Sequence, residues 1–241
     1  MRAVFDPGGD ITGHVTNNCR MPRPSQHIDR ALLASGRALY PGSGCAGLSV
    51  RALAEHAGVN QAMFHYHFKS KDAFLRTLLQ QMYDEMFSGL QHDAVQDGPA
   101  VERLHHALCG LARFVRKHRP VIARVWSDAA AGQPVARDFM RVNAPRHVAL
   151  LMQLLQQAER DGHVIELPPL QRFTFVMGAV VAPLVIVSGV IAMGITPGMP
   201  VPEMEAQALS DSAIDRRVEL ALAALRPRAP RARSARKVAH A

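Results

Sequence analysis

The sequence predicts an all-α protein, with a small three-helix head at the N-terminus followed by a larger helical body. Three observations lead there. Beyond Gln26, apolar residues recur at helical spacing in nearly every segment; the interruptions are Gly, Pro or polar capping residues; and no stretch alternates apolar with polar residues as a half-buried strand would. With 241 residues and 48% hydrophobic content, the chain can close a sizeable core.

Residues 1–26 are rich in Gly, Pro, Asn and Thr without periodicity and are expected to form a flexible arm, in which Met21 is a second candidate start. No apolar run of signal-peptide length stands there. Cys19, Cys45 and Cys109 are odd in number and far apart, so no disulfide framework is expected and the cytoplasm is the expected location. Helices are predicted at about 27–40, 49–57, 60–67, 70–91, 99–118, 119–131, 134–161, 168–193 and 204–225.

In the first helix Ile28, Ala31, Leu32, Ala38 and Leu39 are expected to face inward. Gly42-Ser43-Gly44-Cys45-Ala46-Gly47 has the spacing of a dinucleotide-binding turn. It follows a helix, however, and no strand and crossover surround it, so it reads as a flexible loop.

The stretch from Leu48 to Phe74 carries the densest local information. Ser49 is suited to cap a helix, Leu48 to pack on Leu53, and Val50, Leu53, Ala54 and Ala57 form one apolar stripe. Gly58 supplies a left-handed stop, and Asn60 can cap a second short helix at once, with Val59 packing on Phe64. Two helices joined by so tight a turn, supported by the helix before them, have the layout of a helix-turn-helix, and Gln61, Ala62 and His65 should point away from the apolar side.

Those residue types suit the major groove of double-stranded DNA. Asn60 and Gln61 can pair with adenine edges, and Ala62 or Met63 can touch a thymine methyl group. His65, Tyr66 and His67 can reach phosphates, Lys71 stands in the anion-favouring first turn of the helix that Ser70 opens, and Ser49 and Arg51, at the start of the helix over 49–57, are further DNA-binding candidates.

The run AGVNQAMFHYHFKSKDAF resembles the signature of the TetR family of repressors at Gly58, Val59, Tyr66, His67, Phe68, Ser70, Lys71 and Ala73. With the preceding GLSVRALAEHAGV, the resemblance covers roughly residues 27–75. Met63 stands where the family usually has Thr or Ser, His65 where Tyr is usual, and Ala62 where Gly is common, which bears on the operator sequence and not on the fold. The resemblance implies a DNA-binding domain over 27–75 and a ligand-binding and dimerisation domain over 76–225. It further implies a homodimer reading a palindromic operator as a repressor, released by a small effector.

In the body, methionine side chains, which adapt to varied apolar shapes, point to a hydrophobic or aromatic effector, with Met86, His105, Arg113, Trp126, Asn143, His147 and Met177 as candidate contacts. No nucleophile paired with a base, metal cluster or cofactor fingerprint stands out, so neither an enzyme, a metal site nor a cofactor is expected; His65-x-His67 and His105-His106 lack further ligands at suitable spacing.

Residues 173–194 are uncharged and long enough to span a bilayer, which leaves a membrane-associated interaction protein as the rival reading. Pro183, three Gly and a Ser dilute the segment and favour a buried helix and no membrane partner. Residues 226–241 carry Arg226, Arg228, Arg231, Arg233, Arg236 and Lys237 with no acid, six of the net charge of +8, and are expected to be a disordered basic tail, read first as a solvated end and, as the sharper alternative, as a segment that adds non-specific attraction to DNA.

Overall fold

The structure is a computed structural model that describes residues 24–196 and 198–227. The arm predicted over 1–26 and the tail predicted over 226–241 lie, apart from their inner few residues, outside this range, as do Cys19 and Met21.

Ten helices form among the described residues, and no strand: α1 Pro24–Gly47, α2 Val50–Ala57, α3 Gln61–Phe68, α4 Lys71–Ala94, α5 Ala100–Ala130, α6 Pro134–Arg160, α7 Pro169–Val180, α8 Ala182–Ala192, α9 Val201–Leu209 and α10 Asp211–Ala224. α2, α3 and α4 follow the sequence closely, and the body departs from it at three prolines or caps. Pro120 was expected to split α5, yet the helix runs through it. Proline deprives the Arg116 carbonyl of its helical donor, and the Arg119 guanidinium takes that carbonyl instead at 3.2 Å.

The predicted single helix over 168–193 breaks between α7 and α8, with a 40° bend just ahead of Pro183, whose ring would crowd the carbonyl four residues earlier. The predicted helix over 204–225 is likewise two, because Ser210 is extended and its side chain caps α10 by accepting the Ala213 N–H.

α1 also differs. The expected loop over 42–47 is helical except at Gly44, where φ 63 and ψ −170 kink the chain. Ala38 faces solvent rather than inward, while Tyr40 is fully buried.

Two apolar cores result. The first joins Leu32, Leu53, Phe64, Phe68 and Phe74 of the head to Leu78, Leu79 and Met82 of α4 and to Val121, Val125, Val135 and Ala136 at the near ends of α5 and α6. Packing therefore continues straight across residues 75 and 76, the point where head and body were expected to divide. The second core fills the body with Leu104, Leu108, Leu151, Leu155, Val176, Val180, Leu184, Ile214 and Val218. Each such side chain contributes about 1.5–3 kcal/mol by leaving water.

Among the described residues no single helix is long and apolar enough to cross a membrane; α7 and α8 reach that length and composition only as a bent pair. Val176, Val180 and Leu184 of that pair lie at 0% exposure inside the second core.

The kink of α1 rests on a buried polar cluster. Asp128 of α5 accepts the Tyr40 hydroxyl at 2.9 Å and the Cys45 N–H at 2.7 Å on one oxygen, and the Arg124 Nε at 2.9 Å on the other. Burial by itself would raise this carboxyl, but the Cys45, Tyr40 and Arg124 bonds outweigh it and hold it below the ordinary value of 3.8.

A carboxyl lowered in the folded state contributes stability that is present at neutral pH and is lost as pH falls through 3.8 toward the folded value. Thermal unfolding from about pH 6 down to about pH 3 should therefore show the advantage of the native chain over Asp128→Asn shrinking in acid. A constant gap across that range would contradict this pairing.

Candidate nucleic-acid interface

α2 and α3 are set by their caps. The Ser49 hydroxyl oxygen accepts the Ala52 N–H at 3.1 Å, Gly58 stops α2 in the left-handed region at φ 68 and ψ 29, and the Asn60 side-chain oxygen accepts the Met63 N–H at 2.9 Å. Ser70 repeats the device at the start of α4, accepting the Ala73 N–H at 3.1 Å. Each cap contributes about 1 kcal/mol. The inner side of α3 is fixed by Phe64, at 0% exposure, and Phe68, which pack on each other and on Phe74 with ring centroids 4.9–5.7 Å apart.

With that side buried, the outer side of α3 is determined. Gln61, Ala62, His65 and Tyr66 are exposed, Tyr66 at 75%, and Met63 is half-buried at the edge. Ser49 and Arg51 are exposed at the start of α2, where Arg51 pairs with Glu55 at 2.7 Å.

Three candidates are engaged otherwise than expected. Asn60 has its oxygen committed to the cap, leaving the amide donor and not the paired contact to adenine. His67 is turned inward, its side chain 7% exposed and paired with Asp29 of α1, so it holds α3 to α1 instead of reaching phosphate. Lys71 donates to the Ala46 carbonyl at 3.3 Å, which ties α4 to the end of α1.

One cation the sequence reading passed over belongs to the same surface. Lys69, exposed between α3 and α4, has φ 61, a region that side chains other than glycine adopt at a cost. A basic residue standing in a strained turn at the end of an exposed helix is visible in sequence only once the length of α3 is known.

The seven candidate effector contacts do not share one cavity. Asn143 is buried and forms a reciprocal amide pair with Gln80 at 3.1 and 3.3 Å. The pair floors a groove of about 590 Å³ between α4 and α6, walled by Val135, Phe139 and Val142. His147, one turn further on α6, lies 3.4 Å from the Tyr83 hydroxyl, and burial lowers its pKa. His105 and Arg113 line a separate hollow of about 450 Å³, where Arg113 pairs with Asp215. Met86 and Met177 pack against the second core, and Trp126 is 62% exposed. Among the described residues no group of three or more His, Cys, Asp or Glu is placed to hold a metal ion.

A family model described as "Bacterial regulatory proteins, tetR family" matches residues 32–78, from within the first half of α1 through the first turns of α4. The chain is 28% identical over 145 residues to the HTH-type transcriptional regulator EthR of Mycolicibacterium smegmatis, covering 59% of this chain and 65% of that protein, just under two thirds of its length. Among solved structures, a TetR family transcription regulator from Marinobacter aquaeolei superposes with a TM-score of 0.62 at 17% identity, over 86% of this chain and 100% of that one. The ketosteroid transcriptional regulator KstR2 of Mycobacterium tuberculosis gives a TM-score of 0.62 at 17% identity, over 83% of this chain and 95% of that one. At these identities the structural likeness is one of fold.

Proposed function

From a chain that belongs to the TetR family of bacterial transcriptional regulators, we propose a repressor that binds a palindromic operator as a homodimer and is released by a small effector. The observation that carries the DNA-binding reading is the outer side of α3: Gln61, Ala62, His65 and Tyr66 project from a helix whose other side is locked by Phe64 and Phe68. Gln61 and Ala62 read base edges, Met63 borders them, and the Asn60 amide donates to a base or phosphate. Ser49, Arg51, His65, Tyr66 and Lys69 contact the backbone, and so does Lys71, whose ammonium keeps two further donors beside the one on the Ala46 carbonyl.

Dimerisation is supported by apolar side chains left exposed on neighbouring helices, Leu170 and Phe175 of α7, Ile186 of α8 and Leu220 of α10, with Met193 and Ile195 just past α8. A two-fold partner covering them would set two α3 helices about one DNA turn apart, roughly 34 Å or a near multiple. For the effector, the α4–α6 groove sets an apolar α6 side, Val135, Phe139 and Val142, against a polar α4 side that includes Arg76, Gln81 and Asp84, which suits a small molecule with one apolar or aromatic face and hydrogen-bonding groups on the other. α4 begins three residues after α3 ends, so a molecule parting α4 from α6 would alter how α3 is presented.

The test is a pair of substitutions on DNA selected from random duplexes. Lys71→Ala should weaken binding by a similar factor on all sequences and reduce the salt slope by about 1. Gln61→Ala should relax preference at one base position per half-site at a cost of about 1–3 kcal/mol. If Gln61→Ala leaves the sequence preference intact, α3 is not the reading helix.

A further inference from the structure

We propose that Asp128, in the body, is a positioning residue for DNA recognition: it holds the kinked end of α1 and thereby sets how the head is presented by the body. This rests on the proposed DNA-binding dimer. The geometry is unusual in that one carboxylate, its side chain 4% exposed, gathers donors from two elements with different tasks. Tyr40 and the Cys45 N–H come from α1, and Arg124 from α5, whose guanidinium also donates to the Ser43 carbonyl at 3.2 Å.

The Cys45 N–H has left the helical ladder because Gly44 is not helical, and it meets the carboxylate instead of a backbone carbonyl. A Cβ at Gly44 would fall on the Arg124 guanidinium, so the kink and the cluster require each other.

From Cys45 the chain runs without slack into α2. Ala46 is held by Lys71 from the first turn of α4, Leu48 is 2% exposed, and Ser49 caps α2. The last turn of α1 is thus gripped on one side by α5 and on the other by the helix that follows α3. Midway along its length α5 is tied to the start of α10 and the end of α9, through Arg113 to Asp211 at 3.1 Å and Arg116 to the Leu209 carbonyl at 2.8 Å. α5 therefore runs as one helix from its ties with α9 and α10 to the neck of the head, where Val121 and Val125 make apolar contacts and Asp128, with Arg124, makes the polar ones.

Apolar contacts at this neck tolerate sliding, whereas a buried carboxylate needs each of its hydrogen bonds and so specifies one arrangement. Burial pushes the Cys45 thiol up to about 11, so it stays a neutral thiol in this cluster. Asparagine cannot replace the carboxylate. Two donors meet one oxygen and a third meets the other, so whichever way the amide is turned its NH2 faces a donor.

The experiment compares the full chain with Asp128→Asn and Tyr40→Phe on selected duplexes carrying one half-site or two. Asp128→Asn is expected to remain helical and cooperatively folded, to bind one half-site within about twofold of the native chain, and to lose about tenfold or more on two, because the gain from simultaneous engagement depends on a fixed spacing. Tyr40→Phe, which keeps the ring and removes one donor, should lose part of that gain, and it carries the comparison if Asp128→Asn does not fold.

Trp126, the chain's one tryptophan, stands two residues before Asp128 and reports on the same turn of α5. Its emission should change on adding DNA to the native chain and not to Asp128→Asn. Equal losses on both duplexes, or no loss on either, would overturn the proposal. If the native chain itself gains nothing from the second half-site, the dimer reading fails, and the tryptophan response then decides for or against Asp128 alone.

Discussion

Replacing Phe64 with alanine is expected to unfold the head and abolish DNA binding together. Phe64 is 0% exposed and meets both Phe68 and Phe74, with ring centroids 5.7 and 5.4 Å away, so its removal empties the centre of the aromatic cluster that joins α3 to α4. Truncating a buried phenylalanine costs about 3–5 kcal/mol, a large share of the roughly 5–15 kcal/mol that holds a domain folded. Urea unfolding followed by circular dichroism checks the first part and fluorescence anisotropy with labelled duplex the second.

Tyr66→Ala on the same helix is the matched comparison. Tyr66 is 75% exposed, so the change should leave stability within about 0.5 kcal/mol while weakening DNA binding. If both variants unfold alike, the division of α3 into an inner and an outer side is wrong.

Gly44→Ala is the second large effect. At φ 63 and ψ −170 the backbone is in a region that is essentially confined to glycine, which costs another residue about 1–3 kcal/mol. The added methyl group also displaces the Arg124 guanidinium from its bonds to Ser43 and Asp128, each such charge-assisted bond contributing on the order of 1.5–3 kcal/mol.

Gly58→Ala provides the scale. Its φ is 68, but its ψ is 29 and no atom lies within 4 Å of the new Cβ, so the cost should be only about 1–2 kcal/mol. Denaturation midpoints of the two variants compare them directly, and a Gly44→Ala protein no less stable than Gly58→Ala would rule out the kink as described.

The sequence revealed the head almost residue by residue because its information is local. Ser49, Gly58, Asn60 and Ser70 each act through a bond three or four residues away, and the Leu48–Leu53 and Val59–Phe64 pairs follow from the place of Leu48 and Val59 just before the caps Ser49 and Asn60. The body was legible as helices but not in its joints. Pro120 and Pro183 look alike in sequence; one is bridged because Arg119 reaches the orphaned carbonyl, and the other ends a helix.

Contacts between distant elements left no sequence signal. Asp29 with His67, and Asp128 with Tyr40 and Cys45, join residues 38 to 88 positions apart, and nothing in either neighbourhood marks the partner. For the same reason the Gly42–Gly47 run read as a loose loop although it is held at both ends. The effector candidates scattered because helical period identifies an inward face but not which inward residues border empty space; of the seven, Asn143 lines one hollow and His105 and Arg113 another.

The most direct measurement is selection from a pool of random duplex DNA by the purified native chain and by Tyr66→Ala with Lys71→Ala, the bound fraction being sequenced at moderate salt. Recovery of a two-fold palindrome by the native chain, lost in the double variant, is the result expected of a reading helix over Gln61–Phe68. No enriched sequence, or the same sequence enriched by both proteins, would contradict it.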